Sequence, residues 1–279
     1  MKADCHMHMI LDGEYWRDAI ARHDPKPDEA FIHKVLKTYR QRGYTYLRDG
    51  GDRWGAGKRA RELAGEYGIT YRTPLAPLCR AGHYGGFIGL QYNNIKEYAD
   101  LVKKQKAQGA DYIKIMISGL MDFDRFGVLT EPGQDPAEIR ELIHIAHEEG
   151  MAVAAHANGA RTVEVAAVAG LDSVEHGAYL DEDALAAMTE NGCVWVPTLS
   201  TIGNLRGKGR FAEDAVQRIL ESALENLCRY RGFVAAGTDA GAWAVPHGSD
   251  TEEPLLAMAG IGEDRLRQGR DVIVKKFKG

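Results

Sequence analysis

Short apolar runs alternate with longer amphipathic segments along all 279 residues, and this alternation predicts an α/β fold in the form of a single (β/α)8 TIM barrel. About eight strand-then-helix units can be marked from end to end. No linker or low-complexity segment divides them, and the length suits one barrel-sized domain over residues 1–279. A doubly wound open sheet built from the same units is the alternative.

The predicted strands are short apolar or β-branched runs, and they cover residues 1–10, 44–49, 69–76, 111–117, 151–156, 172–176, 193–198 and 233–239. Amphipathic segments between them predict helices over 29–42, 57–67, 95–108, 136–150, 160–169, 181–191 and 211–229, with mostly helical chain after the last strand. Gly43 suits a helix C-cap, and Asp135 with Pro136 suits an N-cap and first helical position. Segments 11–28, 77–89 and 118–134 are predicted to be irregular.

Composition argues against several classes of partner. The formal net charge is −5 and the pI is near 6.1, so nothing indicates a nucleic acid or an anionic membrane surface. The sequence has no signal-peptide pattern and no apolar run of about 18 residues, so we expect a soluble cytoplasmic protein. The cysteines are scattered without a C-x-x-C pair, which indicates neither a zinc knuckle nor a disulfide framework: Cys5, Cys79, Cys193 and Cys228.

His6 and His8 lie two residues apart on the first predicted strand, so their side chains share one face, while Met7 and Met9 face the other way. Two neutral imidazoles on a rigid strand form half of a divalent-metal site, because nitrogen ligands at about 2 Å suit Zn²⁺ and its neighbours. A short His-x-His pair is by itself more often incidental. Whether His6 and His8 belong to a metal site therefore depends on which residues end the other predicted strands.

Four further strands carry a side chain that can serve a metal site. Lys114 lies inside the apolar run DYIKIMI, where it is either paired with a carboxylate or present as a desolvated, reactive amine. His156, His176 and Asp239 end the runs MAVAAH, DSVEH and FVAAGTD. A lone histidine at a strand end is usually only hydrogen-bonded. However, the carboxyl ends of all barrel strands meet at one mouth, so the five strands together indicate a shared site.

This ordered set of six residues resembles the metal-ligand set of the amidohydrolase superfamily: His6, His8, Lys114, His156, His176 and Asp239. The phrases IKIMISG, AHA, VEHG, GTDAG and VPHG are similar to its imidazolonepropionase and Xaa-Pro dipeptidase-like branch, and the similarity runs from about Cys5 to Phe277. Members of that branch usually carry a small β-sandwich built from segments that flank the barrel. We expect none from this sequence, and a homo-oligomer is compatible with it.

The resemblance implies a centre of two divalent metal ions, with zinc expected and manganese or iron as alternatives. His6, His8 and Asp239 would hold the more buried ion, His156 and His176 would hold the more exposed one, and carbamylated Lys114 would bridge them. A hydroxide shared by the ions would attack the substrate carbonyl. Asp239 would take the water proton and later give it to the leaving nitrogen. Lys114 and Asp239 are therefore the expected catalytic residues.

The implied reaction is hydrolysis of an amide C–N bond in a small molecule, with a dipeptide or an N-acyl amino acid favoured. Mononuclear deaminases of the superfamily typically place a glutamate close to the fifth-strand histidine, whereas Glu164 lies several residues into the next predicted helix. Deamination is therefore disfavoured. The sequence is also compatible with a mononuclear imidazolonepropionase-type hydrolase with unmodified Lys114, a lactonase, a phosphotriesterase-like or cyclic-amide hydrolase, and a catalytically inactive ligand-binding barrel.

Substrate selection is expected in the loops. Arg80, His83 and Tyr84, in CRAGHYGGF, are candidates for a substrate carboxylate or carbonyl, and His83 is the first choice because family members have a Gly-His phrase there. A histidine that only orders this loop is the alternative. Tyr179 after VEHG either reaches the pocket or packs as a capping ring, and His247 in VPHG is expected to orient a loop or ligand. Four further histidines are expected to be structural or exposed: His23, His33, His144 and His147.

Overall fold

A computed structural model of the chain describes residues 1–278. The strands in this range are β1 (Lys2–Met7), β2 (Tyr44–Asp49), β3 (Thr70–Arg72), β4 (Leu78–Arg80), β5 (Leu90–Tyr92), β6 (Ile113–Met116), β7 (Val153–Ala157), β8 (Ser173–His176) and β9 (Val194–Val196). The helices are α1 (Trp16–Arg22), α2 (Glu29–Gln41), α3 (Ala56–Ala64), α4 (Ile95–Ala107), α5 (Pro136–Glu148), α6 (Ala160–Val168), α7 (Glu182–Glu190), α8 (Ser200–Gly203), α9 (Glu213–Arg229), α10 (Glu252–Met258) and α11 (Glu263–Lys276). None of these helices is both long and apolar enough to cross a bilayer.

Short polar side chains cap the starts of α2, α4, α5 and α7. Asp28, Asn94, Asp135 and Asp181 each accept a hydrogen bond from a backbone N–H in the first turn of the helix that follows. Such caps satisfy donors that have no partner inside the helix, and each typically contributes about 1 kcal/mol. The prediction of an Asp135 cap with Pro136 in the first turn is confirmed.

All strand pairs are parallel, and they form two pieces of one barrel, β1-β2-β3 and β5-β4-β6-β7-β8-β9. The eighth predicted strand joins them at one seam: Ala235 N–H donates to the Trp195 carbonyl (3.0 Å), and Cys5 N–H donates to the Ala236 carbonyl (2.9 Å). At the other seam, Asp111 N–H donates to the Thr73 carbonyl (3.0 Å). The expected TIM barrel is the fold of this chain, with a ladder that is interrupted at these two places.

The third predicted strand is split. β3 ends at Arg72, and the chain resumes pairing only at β4, whose Leu78 lies opposite Ile115 of β6. Pro74 and Pro77 in the gap have no N–H to donate, and prolines therefore interrupt a ladder. The prediction that 77–89 is irregular is wrong over β4, because its glycines and prolines mask a three-residue strand.

Two other predictions need correction. Segment 11–28 is not wholly irregular, since it contains α1, a helix too short for its apolar period to stand out; only Ala19 and Ile20 are buried. The eighth predicted strand is held by isolated bridges, Trp195 to Val234 and Met7 to Ala240, and not by a continuous ladder.

The amino-terminal end of the barrel is filled by apolar side chains and covered by α11. Tyr46, Tyr112, Val194 and Ala235 are buried there together with Phe277, which follows α11. The Phe277 ring lies edge-on to Tyr112 with ring centres 5.2 Å apart. This end is closed by packing, so the polar strand ends at the opposite mouth are where a site can form.

Gly269 is what lets α11 approach the eighth strand. A Cβ at this position would lie 2.0 Å from the Val234 carbonyl oxygen. We predict that Gly269→Ala lowers the free energy of unfolding by about 1–3 kcal/mol, the usual cost of overpacking. Urea denaturation followed by circular dichroism measures this change in the free energy of unfolding. Gly65→Ala is the matched control, because a Cβ at Gly65 meets nothing within 4 Å and the residue has helical φ and ψ of −58° and −33°. Equal effects of the two changes would contradict the close-packing explanation.

Candidate metal centre

Three predicted residues converge where β1 and the eighth strand end. The His6 and His8 Nε2 atoms are 3.3 Å apart, and Asp239 Oδ1 lies 3.3 Å from the first and 3.1 Å from the second. All three side chains are buried. Ligand atoms bound tetrahedrally to one zinc ion at about 2.0–2.2 Å are separated by about 3.3–3.6 Å. The three atoms therefore fit a single divalent ion.

The orientation of His6 is fixed by Glu175, the residue before His176. The His6 Nδ1 atom lies 2.5 Å from Glu175 Oε2. Burial raises the pKa of Glu175, but Arg48, Lys114 and His6 outweigh it and hold that pKa well below its usual range. An ionised carboxylate accepts the Nδ1–H of the imidazole and leaves the lone pair on Nε2, the atom that faces His8 and Asp239.

Asp239 is held in an unusual backbone conformation. Its φ is +57°, a region that non-glycine residues rarely adopt, and its N–H donates to the His6 carbonyl at 2.7 Å. Burial raises the pKa of Asp239, but His6 and His8 reverse this effect and hold it well below its usual range. The carboxylate is therefore an anion placed against two imidazoles.

His156 and His176 lie beside this cluster. Their ring centres are 4.5 Å apart, and the His176 ring is 5.1 Å from that of His6. His156 Nε2 lies 3.1 Å from the Gly119 carbonyl, and His176 Nδ1 lies 2.7 Å from Thr198 Oγ1. The opposite nitrogens, His156 Nδ1 and His176 Nε2, are thus left to bind a ligand. Burial lowers both pKa values, that of His156 to about 3, so both rings are neutral as metal ligands must be.

Lys114 lies in β6 and is 1% exposed. Its Nζ has no hydrogen-bond partner among residues 1–278. Burial lowers the pKa of the amine to about 8, although Glu175 and Asp239 act in the opposite direction. Its charge opposes protonation of three nearby imidazoles: burial keeps the pKa values of His156 and His176 low, whereas Glu175 and Asp239 leave the pKa of His6 raised. Such an amine is partly neutral at neutral pH.

Of the predicted substrate residues at the end of β4 and in the loop that follows, Tyr84 lies against the cluster. Its ring centre is 4.6 Å from that of His156. The other two are engaged by carboxylates: Arg80 forms an ion pair with Glu138, and His83 Nδ1 lies 3.2 Å from Glu131 Oε2. The His83 side chain is also exposed, whereas the Tyr84 ring contacts a candidate ligand.

Tyr179 and His247 have different surroundings. Tyr179 packs edge-on to Phe126 (5.5 Å) and lines a small cleft that also includes His176, Met121 and residues of α8 and α9. His247 lies 2.8 Å through its Nε2 from the Leu11 carbonyl, and burial lowers its pKa to about 4. It therefore supports the loop that follows His8.

The residues that hold the candidate ligands in place were not predicted from the sequence. Arg48 and Glu175 are buried charges on β2 and β8, and Arg48 Nη2 donates to Glu175 Oε1 at 2.7 Å. Thr198 partners His176, and Asn158 Nδ2 lies 3.3 Å from His156 Nε2. The detectable signal is a charged residue, Arg48 or Glu175, placed near the end of each predicted strand, in YTYLRD and DSVEH.

A model of the Amidohydrolase family matches residues 4–259 of the chain. Ochratoxinase of Aspergillus niger is 26% identical over an alignment of 286 positions, which covers 89% of this chain and 56% of that protein. An uncharacterised protein of Mycobacterium bovis is 29% identical over 199 residues, 66% of this chain and 51% of that one. The chain thus spans about half the length of these relatives.

Solved structures share the fold. A Xaa-Pro dipeptidase with methionine in its active site superposes with a TM-score of 0.76 at 22% identity, over 96% of this chain and 72% of the other. Ochratoxinase of A. niger superposes with a TM-score of 0.71 at 22% identity, over 96% of this chain and 70% of the other. A putative prolidase of Bifidobacterium longum superposes with a TM-score of 0.74 at 21% identity, over 99% of this chain and 68% of the other. With a family model that spans nearly the whole chain and a histidine–aspartate cluster at the strand ends, this protein belongs to the amidohydrolase family.

Proposed function

We propose that the protein is a metal-dependent hydrolase that cleaves a C–N amide bond of a small substrate. The observation that carries the proposal is the convergence of His6 Nε2, His8 Nε2 and Asp239 Oδ1 within 3.3 Å of one another. Amidohydrolases generally use divalent metals, and zinc suits two imidazoles and a carboxylate, with manganese or iron as alternatives.

Two ions would divide the candidate ligands between them. His6, His8 and Asp239 would hold one, and the free nitrogens of His156 and His176 would hold the other. When bound, the ions would lower the pKa of a water molecule and polarise a carbonyl. We assign Lys114 as the bridge: its neutral amine adds carbon dioxide, an N–C bond forms and one proton is lost. The resulting carbamate would offer one oxygen to each ion.

Asp239 is proposed to move the proton. Its carboxylate would accept a proton from the attacking water and deliver it to the leaving nitrogen, so that an amine departs and a carboxylic acid is formed. The deep burial of the cluster excludes other water and strengthens these electrostatic interactions.

A dipeptide or an N-acyl amino acid is the proposed substrate. Support comes from the names of similar proteins, a Xaa-Pro dipeptidase, a prolidase and an ochratoxinase. Tyr84 is proposed to donate its phenolic O–H to the substrate, because its ring lies against His156. Arg80 and His83 would bind a substrate carboxylate only after releasing Glu138 and Glu131. Tyr179 would border the substrate beside His176.

Removal of the bridging amine tests the metal centre. We predict that wild-type protein holds about two divalent ions per chain and that Lys114→Ala loses bound metal and amide hydrolysis together. A short carboxylate such as acetate should restore part of both, because it supplies the missing bridging oxygens. Metal content by mass spectrometry and turnover of a dipeptide panel are the measurements. Lys37→Ala, on the exposed face of α2, is the control. Full metal content and activity in Lys114→Ala would exclude the bridging role.

Asp239→Asn tests the proton transfer. The amide keeps the size and one oxygen of the carboxylate, so we expect much of the metal to stay bound while kcat falls by about 10²–10⁴-fold. Metal content and single-turnover rates separate the two effects. A near-normal rate would assign the proton transfer to another group.

Tyr84→Phe tests substrate binding by the loop after β4. Loss of one hydrogen bond to the substrate should lower kcat/KM by about tenfold with metal content unchanged. Tyr67→Phe is the control, since its hydroxyl bonds His33 (2.8 Å) away from the cluster. An unchanged kcat/KM in Tyr84→Phe would mean that the Tyr84 ring only packs on His156.

A further inference from the structure

We propose that Arg48 and Glu175 are positioning residues: Arg48 holds one oxygen of the Glu175 carboxylate so that the other takes the Nδ1–H of His6, and this sets His6 Nε2 as a metal-binding atom. The inference rests on the proposed function, since it concerns how one candidate ligand is prepared. Glu175 contacts His6 at Nδ1, the nitrogen opposite the one that faces His8 and Asp239, and Arg48 contacts Glu175, so both act through His6.

The two carboxylate oxygens of Glu175 have different partners. Its Oε2 lies 2.5 Å from His6 Nδ1, and its Oε1 accepts from Arg48 Nη2 at 2.7 Å. The hydroxyl of Ser173 also donates to Oε1. Because Oε1 is occupied by these donors, the carboxylate cannot rotate to offer His6 a different geometry without losing them.

Arg48 is anchored on more than this carboxylate. Its Nε donates to the Cys5 carbonyl at 2.6 Å, one residue before His6, so the same guanidinium holds the main chain of β1. Its Cζ lies 4.6 Å from the centre of the Phe277 ring at the closed end of the barrel. Arg48 and Glu175 are each 1% exposed, so both are shielded from solvent. One buried arginine thus links β1, β2 and β8 behind His6.

The consequence is a single imidazole tautomer. Glu175 is only an acceptor, so it holds a proton on His6 Nδ1 and leaves Nε2, which faces Asp239 Oδ1 at 3.3 Å, as the nitrogen that gives up its proton to a metal. In Glu175→Gln the amide oxygen is drawn to Arg48, which has only donors to offer. The amide NH₂ then faces His6 Nδ1 and favours the opposite tautomer, with the proton on Nε2 where the metal should bind.

The experiment compares Glu175→Gln with Asp111→Asn. Asp111 is the matched control: it is also a buried carboxylate held by arginines, Arg61 at 3.1 Å and Arg72 at 2.9 Å, and it contacts no candidate ligand. Long-range ¹H–¹⁵N spectra of metal-free, ¹⁵N-histidine-labelled protein report the tautomer of His6, identified by the signal lost in His6→Gln. Zn²⁺ affinity is measured by competition with a chromophoric chelator.

We expect wild-type protein and Asp111→Asn to show the Nδ1–H tautomer and equal Zn²⁺ affinity. Glu175→Gln should shift His6 towards the Nε2–H tautomer and weaken Zn²⁺ binding about 10–100-fold. Arg48→Lys keeps the positive charge but lacks the planar guanidinium group, so it should show a smaller shift of the His6 tautomer in the same direction. It replaces Glu175→Gln as the test variant if Glu175→Gln does not fold.

The results separate this inference from the proposed function. An unchanged His6 tautomer and Zn²⁺ affinity in Glu175→Gln or, where that variant does not fold, in Arg48→Lys would overturn the positioning role. Absence of Zn²⁺ binding by wild-type protein would contradict the proposed function instead, and the tautomer comparison in metal-free protein would still test the positioning role.

Discussion

The candidate centre depends on the seam between β1 and the eighth strand. Asp239 N–H donates to the His6 carbonyl at 2.7 Å, and His8 N–H donates to the Ala240 carbonyl at 2.7 Å. Gly237 makes this approach possible, because a Cβ there would lie 2.8 Å from His6 N. The seam joins residues more than 230 positions apart and brings a carboxylate from the last strand to two histidines of the first. Without barrel closure the three ligand atoms would have no reason to meet.

Charge inside the barrel is balanced between a few buried groups. Arg48 and Lys114 are cations and Glu175 and Asp239 are anions when all four are ionised, and none is more than 8% exposed. Burying such groups is costly unless each finds a partner. Arg48 and Glu175 pair with each other, whereas Asp239 faces two histidines and Lys114 Nζ has no partner among residues 1–278. Structural pairing accounts for the first two charges, and the other two are those the proposed chemistry uses.

The main elements of this site could be predicted from the sequence because a barrel sends every strand end to the same mouth. His6, His8, His156, His176 and Asp239 each stand at or next to such an end, so alternation alone indicates that they meet. The partnership of Arg48 with Glu175 could not be predicted, since it spans 127 residues and depends on which side chains point inward on two strands that are not neighbours. Likewise, Glu138 and Glu131 come from other segments to occupy Arg80 and His83. The interruption between β3 and β4 could not be predicted, because the prolines in this segment obscured the strand pattern.

The central claim is that the strand ends form one metal centre. An anomalous difference map from crystals of zinc-loaded protein, collected at the zinc edge, tests this claim most directly. We predict two peaks about 3.5–4 Å apart inside the barrel mouth, one of them about 2.0–2.2 Å from His6 Nε2, His8 Nε2 and Asp239. Zinc found only at surface residues, with these three side chains bonded to one another and to nothing else, would contradict it.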